Sequence, residues 1–298
     1  MMQKKTMDKI KIYIAGCGGM LGDAFYRHFK TGYLLKCTDI DVNEDWLGYS
    51  DIRDFDKYRK DVLQFRPQYL FHLGAHTDLE FCELNPGDAH ATNTLSAEYA
   101  VRIARELDIP LLYISTAGIF DGKKDFYDDR DIPNPIGVYA RSKYAGECLV
   151  RENMEKFLVC RPGWMMGGGP RKDKKFVGKI MKQLRDGKKD LFVVRDKLGS
   201  PTYAPDVAKN VELLIDRGLW GVYNMMCGGM TNKLELTREL VTLLGLSGSV
   251  TVHEVDSDYF RDEYFAPRPA SEMLINTKLM SLNLNMMREW RVSLREYL

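Results

Sequence analysis

Short, unbroken apolar runs alternate along this chain with longer stretches whose apolar residues recur every three to four positions. The runs at 10–15, 34–38, 69–73, 111–114 and 157–160 predict strands that are apolar on both faces. The stretches at 20–30, 55–64, 88–107 and 138–154 have helical spacing. In the longest of these, Ala97, Ala100, Val101 and Ala104 mark one face. Strands separated by a helix cannot pair as hairpins, so the alternation predicts parallel βαβ units. A parallel sheet must be covered on both faces. The expected fold class is therefore α/β, with a Rossmann-type doubly wound parallel sheet over residues 1–163.

The pattern loosens after Gly163. Gly167-Gly168-Gly169-Pro170 breaks the chain, and the basic segment 171–175 opens a helix expected to reach 186. Glycines at 218, 221, 228, 229, 245 and 248 mark turns. Residues 164–298 are expected to form a smaller C-terminal substrate lobe. Part of it, about 191–217, should return to the sheet as a sixth strand at 191–194 and a helix at 203–215.

Charge and composition narrow the function. Lys plus Arg number 43 against 42 Asp plus Glu, which gives no electrostatic case for nucleic acid or an anionic membrane surface. No apolar run approaches the length needed to cross a bilayer. The basic pair Lys4 and Lys5 leads into a strand-like segment, so no signal peptide is expected. The six cysteines form no C-x-x-C pair and read as free thiols in a reducing cytoplasm. The five histidines have no metal-ligand spacing, so no catalytic metal is expected.

Candidate chemistry begins directly after the first strand, where Gly16, Gly19 and Gly22 follow a G-x-x-G-x-x-G spacing. Such glycines let a strand turn sharply, let backbone approach a pyrophosphate and let a helix pack close to the sheet. The helix N-terminus that follows offers unpaired N–H groups to phosphate. Asp39 ends the second strand, where a carboxylate accepts from adenosine ribose hydroxyls and repels a 2′-phosphate. The loop has no Arg or Lys for such a phosphate. Both points favour NAD(H), although Arg53 is near enough in sequence to leave NADP(H) open. Asp51 and Ile52 are placed to flank the adenine.

Tyr139 and Lys143 form a Tyr-x-x-x-Lys pair on one helical face. An ammonium at that spacing is expected to lower the phenol pKa toward neutrality, so that Tyr139 can give a proton to a carbonyl oxygen. Lys143 can also hold a nicotinamide ribose. Tyr26 and Lys30 repeat the spacing, but they lie beyond the phosphate-binding end of the first helix and read as a packing feature. Tyr139 instead opens the helix after a strand ending in Ser115-Thr116, at the carboxyl edge where open α/β sheets bind ligands. There the Thr116 hydroxyl can hydrogen-bond a carbonyl.

The combination of Gly16–Gly22, His76-Thr77, Ser115-Thr116, Tyr139–Glu147, Arg161–Trp164, Ser200–Ala204 with Asp206, and Arg268-Pro269-Ala270 resembles the dTDP-4-dehydrorhamnose reductase family of extended short-chain dehydrogenases/reductases. The resemblance implies a dinucleotide held by Gly16, Gly19, Met20, Leu21, Gly22, Leu73, Gly74, Ala75 and Thr77, with Tyr139 and Lys143 also lining it, and a nucleotide-sugar substrate. It implies Thr116, Tyr139 and Lys143 as the catalytic trio, with Trp164 and Arg268 on the substrate. Family members also tend to form homodimers. One departure concerns the substrate: the family usually has Asp-Tyr after Ser-Thr, and this chain has Ala117-Gly118. The function implied is reduction of a 4-keto group on a nucleotide-linked deoxysugar. The alternatives are a nucleotide-sugar epimerase, another carbonyl reductase on the same scaffold, or a non-catalytic dinucleotide-binding regulatory subunit.

Overall fold

The computed structural model describes residues 9–298, so Lys4 and Lys5 lie outside the described residues. The first half builds the expected sheet. Its elements are β1 (Lys11–Ala15), α1 (Met20–Phe29), β2 (Leu34–Asp39), β3 (Leu47–Tyr49), α2 (Phe55–Phe65), β4 (Tyr69–His72), α3 (Leu79–Leu84), α4 (Pro86–His90), α5 (Ser96–Leu107), β5 (Leu111–Ile114), α6 (Val138–Asn153) and β6 (Phe157–Arg161). The strands of β1, β4, β5 and β6 are almost wholly buried, as their unbroken apolar runs require.

The second half contributes β7 (Met165–Met166), α7 (Gly169–Lys172), α8 (Phe176–Arg185), β8 (Asp190–Val194), β9 (Leu198–Gly199), β10 (Thr202–Tyr203), α9 (Ala204–Asp216), β11 (Gly221–Asn224), β12 (Thr231–Asn232), α10 (Lys233–Leu243), β13 (Thr251–Val255), α11 (Thr277–Ser281) and α12 (Trp290–Tyr297). The main sheet has seven parallel strands in the order β11-β6-β5-β4-β1-β2-β3. The order reverses between β1 and β4. The crevice above their carboxyl ends is where doubly wound sheets bind ligands.

Two expectations about the second half need correction. The strand that returns to the sheet is β11, paired with β6, and not residues 191–194. Those residues form β8, which pairs only with β13 in a separate two-stranded sheet. The reason lies in its alternation: Leu191 and Val193 are buried while Phe192 is 43% exposed. A strand with one wet face suits a small peripheral sheet and not a position covered on both sides. The helix at 203–215 does return, as α9. It packs on α1, where His28 Nε2 and Glu212 Oε2 lie 2.6 Å apart. The helix expected at 171–186 is two pieces, α7 and α8.

The long helix expected at 88–107 is also interrupted, by a π-helical turn at Ala91–Leu95. This turn delivers Asn93, a buried side chain that stitches three segments together. Its Oδ1 accepts from His76 N at 2.8 Å. Its Nδ2 donates to His76 O at 3.0 Å and to Ser142 Oγ at 3.0 Å. The backbone carbonyl of Asn93 accepts from Tyr113 Oη at 3.2 Å. A local widening of a helix at a functional edge is the usual setting for such a turn. Among the described residues no helix is long and apolar enough to cross a membrane, and no His, Cys, Asp and Glu cluster could hold a metal.

Candidate active site

The glycine loop is shaped by its backbone. Gly16 has φ +75°, and a Cβ there would lie 2.2 Å from the Gly74 Cα. A Cβ on Gly22 would lie 2.2 Å from the Cys17 carbonyl oxygen. Gly19 is the exception. It caps α1 without a side-chain hydrogen bond, and a Cβ on it would meet nothing within 4 Å. Two glycines thus permit close packing and the third leaves open space beside free helix N–H groups. Met20 and Leu21 form the first turn of α1 behind this opening.

Around this loop the other residues named from the sequence gather, with several already engaged. Asp39 Oδ2 accepts from Gly18 N at 2.8 Å, and its Oδ1 accepts from Asp41 N at 3.0 Å. Arg53 is paired with Asp51 at 3.0 Å and Asp88 at 3.2 Å. Ile52 is buried against Gly74, which any side chain at 74 would strike. Leu73 N donates to Ala15 O at 2.8 Å and leads through Gly74 and Ala75 along the rim of the crevice. Thr77 Oγ1 accepts from Lys175 Nζ at 2.8 Å. The sequence reading missed Lys172, whose ammonium donates to Gly18 O at 2.8 Å and to Asn43 Oδ1 at 2.6 Å. No local signal could have placed it, since its partners are more than a hundred positions away.

Tyr139 is the second residue of α6 and Lys143 lies one turn on. The helix N-terminus is positioned by Glu83, whose Oε1 accepts from Val138 N at 2.6 Å. Thr116 stands at the end of β5 and accepts from Gly118 N at 3.2 Å. Lys143 is buried. Its ammonium sits 4.2 Å from the centre of the Tyr113 ring and makes no hydrogen bond to any described residue. Burial lowers its pKa to about 7. Burial and the nearby Glu272 carboxylate raise the Tyr139 phenol to about 12, while the Thr116 hydroxyl acts the other way. Burial thus opposes the acidification of Tyr139 that the spacing led one to expect. Desolvation disfavours the charged form of both groups and outweighs their spacing. The Tyr26–Lys30 pair is a packing feature, with Tyr26 stacked on Trp46 at 3.8 Å.

Tyr139 opens onto a small cleft of about 40 Å³ lined by Gly118, Gly137, Ala140, Pro267 and Glu272 among others. The hollow between α2 and α5 near Phe55 and Arg102 is an open surface groove without converging chemistry. Trp164 reaches the cleft region through Glu272, with its Nε1 donating to Glu272 Oε2 at 2.6 Å. The Lys233 ammonium lies 5.5 Å from the Trp164 ring centre. Arg268 is clasped by Glu80, with Nη1 at 2.7 Å from Oε1 and Nη2 donating to Oε2 at 2.9 Å. That clasp competes with the substrate contact expected of Arg268. Glu83, Lys233 and Glu272 were invisible to pattern reading because each acts across segments distant in sequence.

With this geometry in place, comparison with known proteins is decisive. The family model described as "RmlD substrate binding domain" matches residues 10–298. The chain belongs to that family. A crystal structure of dTDP-4-dehydrorhamnose reductase from Yersinia enterocolitica is 31% identical, with a TM-score of 0.87 over 97% of this chain and 98% of that one. The Bacillus anthracis dTDP-4-dehydrorhamnose reductase, solved in complex with NADP, is 25% identical with a TM-score of 0.89 over the same shares. The spore coat polysaccharide biosynthesis protein SpsK of Bacillus subtilis is 28% identical over 290 residues, 97% of this chain and 96% of that protein. The family resemblance carried by the motifs is thereby borne out over nearly the whole chain. The Ala117-Gly118 pair, where the resemblance leads one to expect Asp-Tyr, lies beside the Glu272 carboxylate, 3.3 Å from where a Gly118 Cβ would stand.

Proposed function

We propose that this protein reduces the 4-keto group of a nucleotide-linked deoxysugar with a nicotinamide dinucleotide as reductant. Membership of the family and the names of its reductase relatives support the reaction class. The observation that carries the reading is the pairing of Tyr139 and Lys143 at the carboxyl edge of the same sheet whose first loop is the glycine turn.

The residues fit a dinucleotide. Gly16 and Gly22 leave no room for side chains, Gly19 leaves its surface open, and the Lys143 ammonium has no hydrogen-bond partner among the described residues. Gly16, Gly19 and the first turn of α1 would hold the pyrophosphate, and Lys143 the nicotinamide ribose. The bound dihydronicotinamide supplies the hydride. Tyr139 stays protonated at neutral pH because its pKa stands at about 12, which is the form a proton donor needs. It delivers that proton to the carbonyl oxygen as the carbonyl becomes a hydroxyl. Thr116 hydrogen-bonds the same oxygen. Lys143, whose pKa burial lowers to about 7, would in its charged form stabilise the phenolate left on Tyr139. Asp39, at the end of β2, favours NAD(H) over NADP(H) for this chain.

The test is Tyr139→Phe, followed by oxidation of NADH and of NADPH with dTDP-linked 4-keto-6-deoxysugars. Turnover equal to wild type overturns the assignment. The same titrations in the wild type rank the two dinucleotides, and a tighter NADPH overturns the preference.

A further inference from the structure

Glu272 has a defined position and an unassigned role. Its backbone N–H donates to Leu198 O at 3.0 Å, which fixes the residue against β9. Its Oε2 accepts from Trp164 Nε1 at 2.6 Å. Among the described residues, Oε1 accepts no hydrogen bond, and no Lys, Arg or His nitrogen lies within 4 Å of the carboxylate. That free oxygen overhangs Gly118, where a Cβ would stand 3.3 Å from it. Gly118 in turn follows Thr116 by two residues and lines the Tyr139 cleft together with Glu272. The second carboxylate of the cleft, Glu83, is spent on the N-terminus of α6.

A bound sugar would cover the free lone pairs of Glu272. Covering a carboxylate oxygen without a donor is costly, and a donor on the ligand removes the cost. Ala117 is buried and Gly118 has no side chain, so neither offers one. The Lys233 ammonium borders the Trp164 face instead of Oε1. Lys233 acts on the carboxylate through space from beyond 4 Å, so a hydroxyl or amine on the ligand is what can hydrogen-bond Oε1 directly.

We propose that Glu272 is a specificity-determining residue, accepting through Oε1 a hydrogen bond from a hydroxyl or amino substituent on the sugar ring of the substrate. This rests on the reductase reading of the site. Trp164 orients the carboxylate, and Gly118 keeps its path to the sugar clear.

The test uses the full chain and two variants. Glu272→Gln keeps a carbonyl oxygen for Trp164 but turns the cleft-facing atom from acceptor to donor, and Glu272→Ala removes both. The probes are dTDP-4-keto-6-deoxysugars, one bearing only hydroxyls and one bearing an amino group. Affinity is read by thermal shift, and KM and kcat by dinucleotide oxidation. The expected result is a loss of sugar-nucleotide affinity of about tenfold to hundredfold in Glu272→Gln, with dinucleotide titration unchanged. A steeper loss for the amino sugar assigns the amino group as donor, and an equal loss assigns a hydroxyl. Affinities within twofold of wild type in both variants overturn the proposal. So does a Trp164→Phe variant that shows the full loss while Glu272→Gln shows none, because Glu272 would then serve only to hold the indole. If the wild type binds these sugars without reducing them, the reductase reading fails, and the affinity comparison still decides the role of Glu272.

Discussion

The two halves of this molecule build their sides of the cleft by different means. The side proposed for the dinucleotide is made of backbone. Gly16 turns by a positive φ, Gly19 leaves helix N–H groups open, and Gly22 lets α1 lie on Cys17. The substrate side is made of side chains from separated segments. Trp164 is held by Glu272, Arg268 by Glu80, and the end of the chain by Asp206, which accepts from Arg288 Nε at 2.9 Å and from Nη2 at 2.8 Å. Backbone groups are the same in every sequence, so a site built from them recognises a ligand that many proteins share. Side chains differ from one chain to the next, so the substrate side is where this protein can be particular.

The largest effect expected tests whether the two sides act independently. Tyr139→Phe should lower kcat by about 10²–10⁴-fold, the usual contribution of a general acid, and leave dinucleotide affinity unmoved. A large loss of dinucleotide affinity would break the division, because Tyr139 would then be part of the binding wall. Next comes the pin that holds the substrate lobe. Asp206→Asn breaks a fully buried acceptor of Arg288 and should cost about 3–5 kcal/mol in chemical denaturation. Glu106→Ala, at an exposed pair with Arg59, should cost about 1 kcal/mol or less. Equal losses would show that burial does not set the difference.

Gly16→Ala sharpens the comparison from the other side. It should destabilise the fold by about 1–3 kcal/mol through its left-handed backbone, and further through its collision with Gly74. It should abolish dinucleotide-induced thermal shift while leaving the pH profile of stability unchanged. The last comparison concerns the pH dependence set by Lys143. Its folded pKa of about 7 lies below its ordinary value of 10.5, so between these pH values the unfolded chain binds more protons than the folded one. Stability should therefore rise with pH through this window. Lys143→Met should lose that rise, and a flat wild-type profile between pH 7 and pH 10 would refute the burial effect.

The parts of the site legible in the sequence are those formed by neighbours along the chain. The spacing of Gly16, Gly19 and Gly22 needs only one turn, and Tyr139 and Lys143 need only one helical face. Sheet strands were legible where both faces are dry, as in β1, β4, β5 and β6, but β3 escaped notice because only Leu47 of its three residues is buried. Residues 191–194 do form a strand, yet their one wet face placed them outside the main sheet. The helix at 88–107 hid the π-helical turn that aims Asn93, since such a turn leaves apolar spacing nearly intact. Lys172, Lys233 and Glu272 could not be read at all, because their partners lie on other elements.

What the amino-acid order determined alone was the α/β alternation, the phosphate-binding turn and the Tyr-Lys pair, for which distances of a few residues suffice. Tertiary structure decided the closing strand of the sheet and the place of the Glu272 carboxylate beside Gly118. It also set the directions in which burial shifts Tyr139 and Lys143. Burial and charge at a side chain are sums over everything packed around it, and most of what surrounds Tyr139 and Lys143 comes from elsewhere in the chain.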